Sequence, residues 1–304
     1  MTDQRETPRA SYDLHLHTCW SYDAMATAEE LFAAASAAGV RRIAITDHHV
    51  IDGLGEAIEV AAGYPEILFV PGAELTVTCS IGAVDMVCLG FTPDAISALT
   101  PVWDAYHEWQ QEFGEALCAG VCALGFDYGD ERREELLATY RPARTLAVQG
   151  ATHVGNRMQR EWFIERGFIA CDEEYAPLLA AAQEQVARPP YPSAEFVLPA
   201  VKQQGALVVI AHPAGYFQRD DRERMDLLRE ELQLDGVECA HLTVPAELTA
   251  VYRAWCEEHD LLSTGGSDTH WPEDVRDRIG RHIGPDEWWP EIEARLPAGA
   301  IVNP

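Results

Sequence analysis

The sequence lacks any long uninterrupted apolar run, and its first ten residues, MTDQRETPRA, are polar. A membrane-spanning helix needs about 20 consecutive apolar residues, so the first absence argues against a membrane span. We also expect no membrane partner, because the net charge of −28 repels anionic membrane surfaces. The second absence argues against a secretory signal, which carries an apolar core. Eight cysteines are present but never as a CxxC pair, unlike those of a disulfide scaffold or a zinc finger. We therefore expect a cytoplasmic protein with reduced cysteines.

Basic residues are also scarce. One lysine, Lys202, and 21 arginines stand against 50 acidic residues, and the formal net charge is −28. Such a charge repels polyanions, and the sequence contains no basic run that could form a local binding groove. The composition therefore argues against duplex nucleic acid as a partner. It gives no indication of the oligomeric state.

Apolar residues, in contrast, are plentiful. With 304 residues and 47% hydrophobic content, the chain is expected to form one large α/β domain, with or without an insert. Seven short strand-like runs recur along it, at 12–17, 41–47, 67–75, 83–91, 206–212, 235–241 and 261–268. Helical stretches lie between several of them, such as 27–39, where Thr27 and Glu30 resemble a capping box. This alternation predicts a parallel sheet, open or closed into a barrel.

Residues 95–197 break the alternation. This stretch contains helix-like and aromatic segments and ends in the proline-rich RPPYPSAEF. We interpret it as a mainly helical insert on the barrel rather than as an independent domain. The chain then divides into a first part of the barrel, 1–94, the insert, 95–197, and a second part of the barrel, 198–304.

Side chains that bind metals stand at the ends of most strand-like runs. They are His15 and His17 in the first run, His48 after the second, Glu74 in the third, His212 in the fifth, and Asp268 with His270 at the seventh. In a βα barrel the carboxyl ends of the strands converge on one face. Residues i and i+2 of a strand point the same way, so His15 and His17 can hold one ion together. Asp268 and His270 have the same spacing, and these two pairs with separate carboxylates favour more than one metal ion.

Five motifs occur together in the order DLHLHTCWSYD, ITDHH, PGAEL, AHPAG and GSDTH. In this set the sequence resembles the PHP (polymerase and histidinol phosphatase) superfamily of metal-dependent phosphoesterases. The resemblance covers about 11–91 and 206–271, and within the insert it is limited to GATHVGN. It implies a distorted (β/α)7 barrel that holds two to three divalent ions at its open face.

The resemblance also implies which residues bind the ions. At the matching positions these are His15, His17, Asp23, His48, Glu74, His212, Asp268 and His270, together with His153 of GATHVGN. Phosphatase relatives often have an arginine two residues before the last of these, where this chain has Ala151. Arg144 or Arg157 is therefore the candidate group for binding phosphate.

Three further residues are candidates for supporting roles. Asp47 precedes His48 and is expected to orient a ligand histidine rather than to bind metal. His49 is either a supporting group behind the ligands or an exposed neighbour, and with Asp47 it is a candidate for catalytic help. His241 ends the sixth strand-like run and could reach a substrate.

Hydrolysis of a phosphate ester is the chemistry that fits these residues. Clustered divalent ions lower the pKa of a bound water from about 15.7 towards 7, so the hypothesis is attack by a metal-bridging hydroxide. No serine or cysteine stands in a GxSxG setting that would offer another nucleophile. Mixed histidine and carboxylate ligands favour Zn, Mn or Fe. The expected substrate is a small phosphate ester, either of the nucleotide type or another small molecule.

Two alternatives remain open. An amidohydrolase-type C–N hydrolase would share the barrel and the histidines, but it normally has a carbamylated lysine, and Lys202 does not stand at a strand end. A non-catalytic metal-binding PHP module would be expected to lack some of the ligands, and the motif set here is complete.

Overall fold

Seven strands form one sheet in the order of the sequence, in a computed structural model that describes residues 11–281 and 283–302. The strands are β1 (Tyr12–Leu16), β2 (Arg42–Ile45), β3 (Leu68–Cys79), β4 (Gly82–Leu89), β5 (Leu207–Ile210), β6 (Gly236–Ala240) and β7 (Leu262–Gly265). Beyond β7, Thr269 pairs in parallel with Leu16, and its carbonyl accepts from the amide of His17 at 3.0 Å. The sheet is therefore a nearly closed barrel, and the predicted distorted (β/α)7 fold is confirmed.

One strand runs against its neighbours. β4 is antiparallel to β3 and to β5, whereas the other neighbouring strands pair in parallel. The prediction of a parallel sheet is therefore wrong for β4. The physical reason is the connection between β3 and β4, since only Ser80 and Ile81 join them. Two residues can close a hairpin, but a parallel crossover needs about a dozen.

Helices surround the barrel. Within the described residues they are α1 (Ala28–Ala38), α2 (Leu54–Ala61), α3 (Pro93–Ala98), α4 (Thr100–Ala123), α5 (Asp130–Tyr140), α6 (Ala143–Gln149), α7 (Asn156–Glu165), α8 (Tyr175–Gln185), α9 (Ala194–Gln203), α10 (Arg222–Leu232), α11 (Ala246–Glu258), α12 (Pro272–Arg278) and α13 (Trp289–Arg295). α1 begins at the predicted capping box of Thr27 and Glu30. None of these helices is long and apolar enough to cross a membrane. The segment MTDQRETPRA lies outside the described residues.

Two apolar clusters hold the strands under the surrounding helices. The larger one packs β3 to β6 against α9, α10 and α11 and includes Val77, Val209 and Trp255. The smaller one packs β1 and β2 against α1 and α2 and includes Phe32 and Ile43. Because these side chains are fully buried, the strands form a rigid support for the polar residues at their ends.

The chain between β4 and β5 forms helices α3 to α9. Helices α4, α5, α7 and α8 enclose an apolar cluster of their own, which includes Val121, Leu137 and Phe163. α9 spans the 197/198 boundary suggested by the sequence and packs against β3 and β5. The division into three segments stays a prediction, and α9 is the element on which its second boundary depends.

Candidate metal centre

Polar side chains converge at one mouth of the barrel. The predicted residues His15, His17, His48, His212, Asp268 and His270 lie in β1 or in the segments that directly follow β1, β2, β5 and β7. Glu74 departs from its expected place at a strand end and lies in the middle of β3, because β3 continues to Cys79 in its pairing with β4. The backbones of His48 and Glu74 nevertheless form an isolated parallel β-bridge, which places Glu74 beside the segment that follows β2.

The inner group consists of His15, His17, Glu74 and Asp268, and each offers one ligand atom within 4.8 Å of the others. Nε2 of His15 and Nε2 of His17 lie 2.9 and 3.3 Å from Oε2 of Glu74. The same two nitrogens lie 3.5 and 3.2 Å from Oδ1 of Asp268. The first three residues are fully buried, and Asp268 is partly exposed. Two imidazoles and two carboxylates form a ligand set suited to Zn, Mn or Fe.

The outer group consists of His17, His48 and His270, with Asp23 beside them. The ring of His17 lies 4.4 Å from that of His48 and 4.1 Å from that of His270, measured between centroids. Oδ2 of Asp23 lies 3.6 Å from Nε2 of His48 and 3.7 Å from Nε2 of His270. A cation is a natural shared partner for three stacked imidazoles and a carboxylate.

A third group contains Glu74, His212 and Asp85. Nε2 of His212 lies 3.1 Å from Oε1 of Glu74 and 3.8 Å from Oδ2 of Asp85. Sequence reasoning missed Asp85. It is a single acidic residue inside the apolar run AVDMVCLGF, and that interruption is the signal by which it could have been found.

A fourth group lies behind His15 and contains Glu238 and His241. Oε1 of Glu238 lies 3.0 Å from Nδ1 of His15, and Nε2 of His241 lies 3.5 Å from Oδ2 of Asp268. Glu238 was also missed by sequence reasoning, although it is another single acid in an apolar strand. Its carboxylate fixes the ring of His15, as partners of ligand histidines commonly do.

His153, the ligand expected from the helical insert, lies outside these four groups. Its ring contacts that of Tyr22 in a tilted arrangement with 3.8 Å between centroids, and its buried Nδ1 has no hydrogen-bond partner among the described residues. Burial lowers the pKa of His153 to about 3, although the charge of Asp23 opposes the shift. The role of His153 as a metal ligand stays a prediction.

The histidines and carboxylates of the inner group shift one another's pKa values towards the charged forms. Burial raises the pKa of Glu74, but the imidazoles of His15 and His48 outweigh it and hold this pKa well below its usual range. The pKa of Asp268 is likewise held well below its usual range against burial, with His15 as the main cause. Burial lowers the pKa of His15, but the carboxylates of Glu74 and Glu238 raise it well above its ordinary value. The carboxylates therefore stay ionised, and a divalent cation would compete with a proton on His15.

Several ligand atoms of the outer group lack a well-aligned hydrogen bond. Among the described residues, Nε2 of His17, Nδ1 of His48 and Oδ1 of Asp23 are buried and make none, although carboxylate oxygens lie 3.2–3.3 Å from the two ring nitrogens. Buried polar atoms are normally paired, so atoms of this kind indicate a place for an ion. The residues at this mouth therefore fit divalent metal ions.

Asp47 is linked to the outer group through Ser21. Its carboxylate accepts from the amide and the hydroxyl of Thr18, at 2.6 and 2.7 Å, and from the hydroxyl of Ser21 at 2.9 Å. The Ser21 oxygen lies 3.2 Å from Nδ1 of His17 and accepts from the amide of His48 at 3.0 Å. This network fixes the orientation of the His17 ring.

His49 lies in the interior and is not an exposed neighbour of the ligands. Its Nε2 lies 2.9 Å from Oγ1 of Thr76, and its ring stacks on Tyr106 with 5.0 Å between centroids. Burial, together with the nearby charge of His48, lowers the pKa of His49 well below its ordinary value. A neutral, stacked imidazole supports the wall of the site.

Both arginines that are candidates for binding phosphate form ion pairs with carboxylates outside the four groups. Arg144 pairs with Glu56 at 2.9 Å. Arg157 pairs with Glu273 at 3.2 Å, and its guanidinium lies over the ring of Trp271, 4.3 Å from the centroid. Because Trp271 directly follows His270, Arg157 is attached to the rim of the outer group.

The backbone of the site is strained at three positions. His49, His212 and Asp268 have φ values of 64°, 29° and 49°, in the left-handed region that side chains other than glycine rarely adopt. Each such residue costs about 1–3 kcal/mol, and residues of this kind concentrate at functional sites. Two of the three are predicted metal ligands.

Comparison with known proteins gives this arrangement a family. The family model for the PHP domain matches residues 13–158. A crystal structure of a predicted metal-dependent phosphoesterase from Bifidobacterium adolescentis is similar with a TM-score of 0.73 at 26% sequence identity, over 96% of this chain and 98% of that one. The chain therefore carries a PHP domain over residues 13–158.

Two relatives of this PHP chain have assigned activities. A 3',5'-nucleoside bisphosphate phosphatase of Chromobacterium violaceum is 28% identical over 306 residues, which is 94% of this chain and 98% of the relative. A 5'-3' exoribonuclease of Haemophilus influenzae is 24% identical over 266 residues, 86% of this chain and 90% of the relative. The predicted enzyme class, a metal-dependent hydrolase of phosphate ester bonds, is confirmed.

Proposed function

We propose that this chain hydrolyses a small phosphate ester of the nucleotide type with two or three divalent ions. The inner group carries the proposal, because two histidines and two carboxylates from β1, β3 and the segment after β7 meet within 4.8 Å. The relative from C. violaceum acts on 3',5'-nucleoside bisphosphates, and its match extends over nearly the whole chain. Nucleotides with a terminal phosphate are therefore the first substrates to test.

Each group of ligands would have its own ion. The inner group, His15, His17, Glu74 and Asp268, would hold one, and Glu74 with His212 would hold another. Asp23 with His48 and His270 would hold a further ion. We also assign His153 to this last ion, because the charges of Asp23 and His48 act on its pKa. When bound by these residues, divalent ions would supply Lewis-acid chemistry, which lowers the pKa of water and offsets the charge of phosphoryl oxygens. Zn, Mn and Fe suit these ligands best.

Other residues of the chain would place the substrate. Nε2 of His241 is buried, makes no well-aligned hydrogen bond within the described part of the chain and lies 3.5 Å from Oδ2 of Asp268. It is therefore suited to donate a hydrogen bond to an oxygen of the ester. Asp47 and His49 would hold the ligand histidines and the wall of the site. Arg157 would bind a phosphate at the rim, and Arg144 is the second candidate for that role.

The position of Lys202 disfavours the C–N hydrolase alternative. Its ammonium pairs with Asp235 at 2.7 Å and donates to the carbonyl of Gln233. Asp235 precedes β6, whereas His241 follows that strand. Lys202 therefore lies at the opposite end of β6 from the histidines, where a carbamylated lysine could not bridge ions at the mouth.

Metal analysis followed by a substrate screen tests the proposal. We expect two or more ions per chain, and phosphate release from nucleoside bisphosphates or other phosphomonoesters that chelation abolishes and metal restores. Phosphodiesters, short RNA and an amide panel complete the screen. Protein that takes up no divalent metal, or turns over only C–N substrates, would overturn the proposal. Full activity in a His15→Ala variant would exclude the inner group as the site.

A further inference from the structure

The segment from Trp20 to Asp23, here called the Asp23 loop, is held by the helical insert. The hydroxyl of Tyr140, the last residue of α5, donates to the carbonyl of Tyr22 at 2.6 Å. The same hydroxyl accepts from the amide of Gly155 at 3.1 Å. One phenol therefore joins the Asp23 loop to the GATHVGN segment of the insert.

Arg141 makes a second connection directly beside the first. Its Nη2 donates to the carbonyl of Trp20 at 3.2 Å and to the side-chain oxygen of Gln149, and its Nη1 donates to Oγ1 of Thr152 at 2.9 Å. Gln149 adds a bond of its own to the Trp20 carbonyl, at 3.2 Å. The planar guanidinium thus ties the same two segments together that Tyr140 joins.

The contact reaches the backbone of the proposed ligand itself. A Cβ built on Gly155 would lie 2.8 Å from Cβ and 2.9 Å from Cα of Asp23. The insert therefore fits against Asp23 without room for a methyl group. Any shift of the 150–155 segment must be transmitted to Asp23.

Arg141 is an unusual residue for a purely structural contact. It is buried, its hydrogen bonds go to neutral oxygens, and its Nε has no partner among the described residues. Burying a cation without a carboxylate in contact is costly, and a neutral side chain could fill the same space at a lower cost. The acidic residues that act on its charge include Asp23 and Asp47, both at the metal centre.

We propose that Tyr140 and Arg141 are positioning residues that fix the Asp23 loop, so that the Asp23 carboxylate stands beside His48 and His270. The inference rests on the proposed function, which makes these three residues the ligands of one ion. It gives the insert a role in the metal centre, because the insert completes the outer metal site. The inner group does not contact Tyr140 or Arg141 through any bond described above and should keep its ion.

The insert provides matched controls for both residues. Tyr128 is also a fully buried tyrosine, and its hydroxyl accepts from Gln159 inside the insert. Arg133 lies in α5, is buried like Arg141, which directly follows that helix, and pairs with Asp130. Tyr140→Phe is compared with Tyr128→Phe, and Arg141→Gln with Arg133→Gln. Each pair removes the same atoms from the same helical cluster, but only one member of each pair touches the Asp23 loop.

Two measurements on the full-length chain test the inference. Native mass spectrometry with a Zn²⁺ or Mn²⁺ titration should show one ion lost, or bound about tenfold more weakly, in Tyr140→Phe and Arg141→Gln, with the tightest ion retained. Hydrogen exchange in the chelated protein should be faster in residues 20–23 of these two variants. The controls should match the wild type in both measurements.

The outcomes separate the inference from the function on which it rests. If the wild type binds its ions and Tyr140→Phe binds all of them with unchanged affinity and exchange, the positioning role is overturned while the proposed function stands. Equal losses in Tyr140→Phe and Tyr128→Phe would also overturn it, because they would show only a weakened insert. A wild type that binds no divalent ion would overturn the proposed function itself. Since Tyr140→Phe removes a single oxygen, it remains informative even if Arg141→Gln fails to fold.

Discussion

Gly266 lies where the segment after β7 passes closest to β1. A Cβ at this position would lie 2.0 Å from Cβ of His15 and 2.7 Å from its amide nitrogen. Because the backbone of β1 pairs with β2 on one side and with Thr269 on the other, a shift of His15 would break hydrogen bonds of the sheet. We expect Gly266→Ala to lower the free energy of unfolding by about 1–3 kcal/mol, as overpacking does, and to weaken metal binding. Thermal melts and metal titrations check both effects.

The control for this substitution is Gly215→Ala. A Cβ on Gly215 meets nothing within 4 Å, and its backbone is not in the left-handed region. If Gly266→Ala melts and binds metal like Gly215→Ala, the close approach of the two segments is not what holds His15 in place.

Ser21 offers a second test at a single residue. Its hydroxyl connects the carboxylate of Asp47 to Nδ1 of His17, so Ser21→Ala leaves the ring free to turn. Loss of an outer partner of a ligand histidine typically costs about 10- to 100-fold in metal affinity or activity. We expect a loss of this size in a competition assay with a chelating dye. Ser97→Ala, which removes an exposed hydroxyl from α3, should have no effect, and equal affinities in the two variants would contradict the role of Ser21.

Residues that repeat a spacing could be grouped from the sequence, whereas the partners of isolated acidic residues could not. His15 and His17 share a face because strand side chains alternate, and this alternation is visible in DLHLH. Asp85 and Glu238 have no such partner in sequence, since the histidines they contact, His212 and His15, are more than a hundred residues away. Only the closed barrel brings them together.

At the scale of an element, α1 depends on its first turn. Thr27 accepts from the amide of Glu30, and Glu30 accepts from the amide of Thr27 at 2.8 Å. Thr27→Ala should therefore lower the free energy of unfolding by about 0.5–2 kcal/mol in a denaturant titration. Glu30→Gln keeps an acceptor for the same amide and should cost less. If the two variants are equally stable, the cap does not limit the stability of this helix.

The hairpin of β3 and β4 is the element that sequence reasoning got wrong, and it shapes the site. The two-residue connection was missed because Ser80 and Ile81 are not one of the Asn-Gly or Asp-Gly pairs that mark a tight hairpin. The antiparallel register places Thr76 opposite Asp85, and Thr76 donates to that carboxylate at 2.6 Å. A parallel β4 would have separated Asp85 from His212.

At the scale of the whole molecule, the barrel could be predicted before the structure was known, but the way the insert packs on it could not. Local apolar runs predicted the alternation of strands and helices, and the family resemblance implied that the sheet closes into a barrel. The insert packs through contacts such as Tyr140 to Tyr22, which are 118 residues apart and have no local signal. The same limit explains why His153 could be assigned by resemblance but not located.

The ligands of the metal centre come from both ends of the chain, so bound ions should stabilise the entire fold. His17 follows the first strand and Asp268 the last, and the unfolded chain cannot gather them. A ligand that binds only the folded state adds about 2.7 kcal/mol at a concentration of 100 times its Kd. For a chain of this size that is a rise in Tm of roughly 5 °C.

We expect Zn²⁺ or Mn²⁺ to raise the Tm of the wild type and chelation to reverse the rise. His17→Ala removes a ligand shared by the inner and outer groups, so it should abolish the rise. The control must account for the net charge of −28, because any salt screens repulsion among the acidic residues and stabilises the fold without a site. NaCl at the same ionic strength measures that general effect. A rise that NaCl reproduces, or that His17→Ala retains in full, would assign the stabilisation to screening and leave the clustered histidines without a bound ion.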